Sequence, residues 1–147
     1  MRLENDLPKG FVLAKPLDQK DFHESVIYKL EKEGDLSITR KRDGWKLFAL
    51  IGRTGVRFFT AGLNEVDARL NHLKKELASL NLPFDTLLVG EGIIDFDNQD
   101  DIAKVISIFQ TADTNHALVL QKKYGPIKFM VFNIICHGGI DMTHLFP

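Results

Sequence analysis

The chain has 147 residues, 44% of them hydrophobic and 27% charged, which is enough to bury one core and too little for two comfortable domains. A formal net charge of −1 argues against a uniformly basic nucleic-acid-coating protein, although "TRKR" and "QKKYGPIK" leave local basic patches. Cys136 is the single cysteine, no leader-like segment opens the sequence, and no apolar run nears the roughly 20 residues of a membrane span, so a soluble cytoplasmic protein is expected, with no membrane partner.

In chain order, "MRLENDLPKGFVLAKPLDQK" has no clear period and reads as an irregular lead-in. "DFHESVIYKLEKEG" then repeats Phe22, Val26 and Leu30 at intervals of four, with Asp21 as a cap and Gly34 as a left-handed stop, which predicts a helix. "LSIT" and "WKLFALIG" are rich in β-formers and flank Asp43-Gly44, a hairpin signal. A second turn, "GRTG", leads into "VRFFTAG", so residues 36–60 read as an antiparallel meander. In "NEVDARLNHLKKELASL" the residues Val66, Leu70, Leu73, Leu77 and Leu80 follow a helical period, with Asn64 as cap.

"NLPFD" ends that helix, and "TLLVGEGIIDFD" predicts a buried strand or strand pair. "DNQDDIAKVISIFQTAD" predicts a helix capped by Asp97 or Asn98, favoured at its start by Asp100 and Asp101, and burying Ile102, Val105, Ile106 and Phe109. "HALVLQ" and "IKFMVFNIIC" predict two strands around the turn "KKYGP". Irregular alternation with hairpins dominating implies an α+β fold with mostly antiparallel sheet. Neither G-x-G-x-x-G after a strand nor G-x-x-x-x-G-K-[ST] is present, which disfavours the two common phosphate-cradling loops.

Lys41-Arg42-Asp43-Gly44-Trp45-Lys46 has two readings. It is a charged hairpin turn, or it sets an amine beside a carboxylate on one face of extended chain, where desolvation or neighbouring cations would make Lys41 a nucleophile. Glu91, between two glycines in an apolar run, either faces solvent at a strand end or holds a ligand hydroxyl or cation. Phe132 in "FMVFNII" is core or a stacking platform. The five histidines lack zinc-ligand spacing, "DFDNQDD" lacks the glycine and closing glutamate of a calcium loop, and Cys136-His137 are strand neighbours facing opposite ways.

Lys41-x-Asp43-Gly44-x-Lys46 resembles the first motif, K-x-D-G-x-R, of ATP-dependent DNA ligases and their relatives, the RNA ligases and mRNA capping enzymes. "VGEG" around Glu91 resembles the third motif, and "FMVFNIICHGG" around Phe132 the hydrophobic strand that follows it, all in the family's order. The resemblance implies a nucleotidyltransferase, ATP-grasp-like architecture over residues 1–147, an adenylation domain that stops short of its last two motifs and lacks an oligonucleotide-binding-fold domain. It implies that Lys41 attacks the α-phosphate of ATP to give lysyl-AMP, which passes to the 5′-phosphate of nicked duplex DNA.

The resemblance also implies that Asp43 sets the electrostatics and metal binding around the lysine, that Glu91 holds the ribose and contributes to the metal site, that Phe132 stacks on adenine, and that Thr39 recognises the adenine amino group. Lys46 would contact the nucleotide, and Mg²⁺ would neutralise the phosphates. A monomer is expected. The sequence departs from the pattern in three places: Lys46 replaces the motif arginine, Thr60-Ala61-Gly62 lacks the arginine of the second element, and Asn133 stands where aspartate is common. An RNA ligase, a GTP-using capping enzyme and a non-catalytic remnant that binds nucleotide or a partner are the alternatives.

Overall fold

The computed structural model describes residues 23–34, 40–96 and 99–143, with Phe96 described by its backbone alone. The chain divides into two compact units, Leu7–Lys41 and Arg42–Pro147, the latter together with Met1–Asp6. In the first, helix α1 (Glu24–Glu33) ends as expected at Gly34, whose φ of 76° turns its N–H back onto the carbonyls of Leu30 and Glu31. The lead-in, Asp21, Phe22 and the strand expected over 36–39 lie outside the described residues.

The second unit holds the strands β1 (Trp45–Gly52), β2 (Gly55–Thr60), β3 (Thr86–Ile93), β4 (Asp95–Phe96), β5 (Gln99–Asp100), β6 (Lys128–His137) and β7 (Ile140–Asp141), with helices α2 (Asn71–Ser79), α3 (Ile102–Gln110) and α4 (Thr114–Tyr124). Five strands form one antiparallel sheet in the order β2-β1-β3-β6-β7, and β4 and β5 form a separate ribbon. The α+β class expected from the sequence is observed. "GRTG" makes the β1–β2 hairpin, in register from Gly52↔Gly55 to Leu47↔Thr60. Leu47, Ala49 and Ile51 of β1, Phe58 of β2 and Leu88 of β3 meet Leu73 and Leu77 of α2, Val105 and Ile108 of α3 and Ala117 of α4 in one core. Phe48, Phe59, Leu87 and Val89, on the other face by strand alternation, are buried too, which is why β1 and β3 read as continuous apolar runs.

Four expectations are corrected. Asp43-Gly44 is not a hairpin turn: residues 40–43 carry no strand pairing, Gly44 has no positive φ, and from Leu47 onward β1 is flanked by β2 and β3. The helix expected from Asn64 begins later, because Glu65 bridges Phe59 and its carboxylate takes Arg57 Nε and Nη2 at 3.0 and 3.2 Å, keeping that stretch extended. Asp67 instead caps a short 3₁₀ turn, Ala68–Leu70, that runs into α2, and Leu80 is exposed.

In α3 the cap is Asp101, which accepts the Lys104 N–H, and the fully buried residues are Val105 and Ile108 rather than Ile102. "HALVLQ" is not a strand but the middle of α4. Asp113 caps it, Ala117 and Gln121 are buried four apart, and Gln121 spans from the Arg69 carbonyl to the Ile127 N–H at 2.8 and 3.0 Å.

Candidate functional site

Three motif residues fall on adjacent strands of the sheet: Lys46 on β1, Glu91 on β3 and Phe132 on β6. In register, Lys46 of β1 lies opposite Glu91 of β3, and Glu91 lies opposite Met130 of β6, so the three share one face in a row across adjacent strands. Lys46 is half-buried, its ammonium 5.8 Å from the Phe48 ring centroid, and Glu91 is half-buried. Phe132 sits in an irregularity of the β3–β6 ladder, between the pairs Gly90↔Val131 and Val89↔Asn133, where it opposes no residue of its own. Phe132 is 59% exposed, and Met130 and Val131 beside it are also exposed, so Phe132 is not core.

Two glycines of the motifs are required by close backbone approach inside the protein. A Cβ on Gly44 would strike the Gly92 carbonyl oxygen and come within 2.8 Å of Ile93 Cγ2. One on Gly90 would strike the Met130 carbonyl oxygen and come within 2.7 Å of the Phe129 ring. Gly44 therefore seats the entry to β1 on β3. Gly90→Ala is expected to lower stability by about 2 kcal/mol, since main chain cannot yield cheaply, and an unchanged urea midpoint would contradict that close approach.

Asp43 has an exposed side chain, but its N–H donates to Asp100 Oδ2 at 2.8 Å. Arg42 Nη2 lies 2.7 Å from Asp100 Oδ1 and 3.6 Å from Asp95 Oδ2. Sequence reasoning missed this cluster, having assigned Asp100 to a helix start. The usable signal was a basic residue inside "KRDG" and an excess of acids in "DFDNQDD". Lys41 is exposed and closes the other unit, one peptide bond before Arg42. Thr39 lies outside the described residues. Cys136 is buried, its Sγ donating to the Asp85 carbonyl at 3.2 Å, and burial pushes the thiol up from its ordinary value.

Among the described residues no three His, Cys, Asp or Glu side chains group to hold a metal, and no helix is long and apolar enough to cross a membrane. Mg²⁺ is commonly held by one or two carboxylates together with substrate phosphates and water, and the carboxylates of Asp43 and Glu91 would be donors of that chemical type.

A five-stranded antiparallel sheet flanked by helices is a fold that the chain shares with a solved ligase domain. Among solved structures, the chain is similar to the ligase domain of LigD from M. tuberculosis, with a TM-score of 0.52 and 16% identity. The match covers 70% of this chain and 30% of that one, and at such identity it speaks to the fold alone. No family model and no curated protein matches the sequence.

Proposed function

We propose that the chain is the nucleotide-transferring part of an ATP-dependent DNA ligase. The observation that carries this reading is order: Lys41-x-Asp43-Gly44-x-Lys46, Gly90-Glu91-Gly92 and the Phe132 strand follow one another, and Lys46, Glu91 and Phe132 fall on three adjacent strands of a ligase-like sheet. Lys41 Nζ, as the free amine, attacks the α-phosphorus of ATP. An N–P bond forms, the P–O bond to pyrophosphate breaks and its electron pair leaves with pyrophosphate, and the amine proton passes to solvent.

An oxygen of the nicked strand's 5′-phosphate then takes the AMP, the N–P bond breaking as Lys41 is reprotonated, and the neighbouring 3′-hydroxyl displaces AMP to seal the strand. Glu91 accepts hydrogen bonds from the ribose. The exposed Phe132 ring offers a face for adenine, and an exposed, unopposed ring on a strand is what such a platform requires. Lys46 presents a point charge to phosphate in place of a planar fork. Thr39, two residues before the nucleophile, is assigned to the adenine amino group. Asp43 and Glu91 would supply carboxylate oxygens to Mg²⁺, which would neutralise phosphate charge when bound.

Intact mass after incubation with ATP and Mg²⁺ is expected to rise by one covalent AMP. An adduct from GTP instead would reassign the chain to the capping type. The lysine at position 46 and the missing arginine after Thr60 favour a second reading, a non-catalytic nucleotide binder, and ATP binding with no adduct under any condition would establish it.

A further inference from the structure

We propose that Asp100, with Arg42 and Asp95, is a positioning device for the Lys41 amine; this rests on the reading of Lys41 as the nucleophile. Asp95 and Asp100 are direct partners across the β4–β5 ribbon. Like charges so placed repel, and a ribbon of two-residue strands has little stability of its own. Arg42 supplies the missing cation, its Nη2 reaching both carboxylates.

The other Asp100 oxygen takes the Asp43 N–H, so one carboxylate holds the side chain of residue 42 and the backbone of residue 43 together. The cluster is largely removed from water, with the Arg42 side chain 17% and the Asp100 side chain 5% exposed. Arg42 Nε is buried without a hydrogen-bond acceptor among the described residues.

A buried ion pair returns little net stability, because desolvation of both charges offsets their attraction. What it supplies is geometry. Residues 41–43 take no strand partner among the described residues, and the first ladder pair of β1 is Trp45↔Gly92. Asp100 therefore anchors the backbone ahead of the sheet, while Gly44 packs against Gly92 just behind. Lys41 is covalently next, its Cα about 3.8 Å from that of Arg42 across a trans peptide. Misplacing a nucleophile by an ångström is enough to slow a reaction about a hundredfold. Asp100 touches no reacting atom in this scheme and acts through the chain.

The working variant is the double substitution Arg42→Met with Asp100→Leu in the full chain, because Asp100→Leu alone strands the buried Arg42 charge and threatens folding. Arg42→Lys is its conservative companion. In the double variant the single-turnover rate of AMP attachment at saturating ATP is expected to fall about 10- to 100-fold while the half-saturating ATP concentration barely moves. Asp43 amide exchange, read by NMR, is expected to quicken about tenfold. Arg42→Lys should recover part of the rate.

An unchanged rate in a folded double variant overturns the proposal. So does an Asp43 amide that exchanges alike in both chains, whatever the adduct does. A wild-type chain that takes up no AMP, with the Asp43 amide still freed in the variant, locates the failure in the functional reading and overturns the positioning role of Asp100, leaving only the backbone anchor.

Discussion

Lys41→Ala is expected to abolish AMP attachment altogether, leaving intact mass unchanged after prolonged incubation with ATP and Mg²⁺. Alanine removes the only atom that could form the N–P bond in the proposed step, and no positioned water or neighbouring cation replaces a covalent acceptor. The informative companion is Lys41→Arg. A guanidinium keeps the positive charge that attracts triphosphate but does not deprotonate in proteins, so it stays inert as a nucleophile. If Lys41→Arg binds ATP and forms no adduct, loss of charge is separated from loss of the amine. An adduct persisting in either variant assigns the nucleophile elsewhere, and peptide mapping would then locate it.

Arg69→Ala is expected to cost about 3 kcal/mol of stability. Arg69 is only 7% exposed and uses its whole fork. Its Nε and Nη2 donate to the two Asp67 oxygens at 2.7 and 2.8 Å, and its Nη1 donates to the carbonyls of Ile108, Phe109 and Thr111 at 2.8, 3.3 and 2.9 Å. Those carbonyls lie at the C-terminal end of α3, where a cation is favoured and orphan acceptors otherwise remain. Alanine removes this donor from all three, of which the Ile108 carbonyl is buried. Lysine restores charge but not the fork, so Arg69→Lys should recover a minor part. A urea midpoint within error of wild type for Arg69→Ala would refute this account.

The same pair predicts a pH dependence. Hydrogen bonds from Arg69 and Thr114 hold the Asp67 carboxyl well below its ordinary value of 3.8. Since the folded value is depressed, the contribution is fully present above the unfolded value and is lost as pH falls below it toward the folded value. Stability of the wild-type chain should therefore decline below about pH 4 through this group, and Arg69→Ala should flatten that part of the profile. Asp67 is partly exposed, so salt will weaken the effect.

Much of the fold was legible because it rests on local chemistry. The Gly34 stop, the "GRTG" hairpin, the buried β3 run and the β6 strand each follow from turn residues or from a run of β-formers, and each is found. "HALVLQ" was misread because a short apolar run suits strand or helix alike. What favours the helix lies outside that run: Gln121 finds its partners on Arg69, 52 residues back, and on Ile127. The Asp43-Gly44 turn failed for a similar reason, since the partners that β1 takes are β2 and β3.

The sequence by itself determined the order of the motif residues and the apolar strands that carry them, since both depend on residue identity and spacing along the chain. Only the tertiary structure decided that Lys46, Glu91 and Met130 stand in one row, that Phe132 opposes no residue in the ladder and is exposed, and that Asp100 holds Arg42 and Asp43. The register of β3 against β1 and β6, the Arg42–Asp100 ion pair 58 positions apart and the Asp43 N–H bond to Asp100 57 positions apart join segments with no short turn between them, so they are set by the packing of the whole sheet.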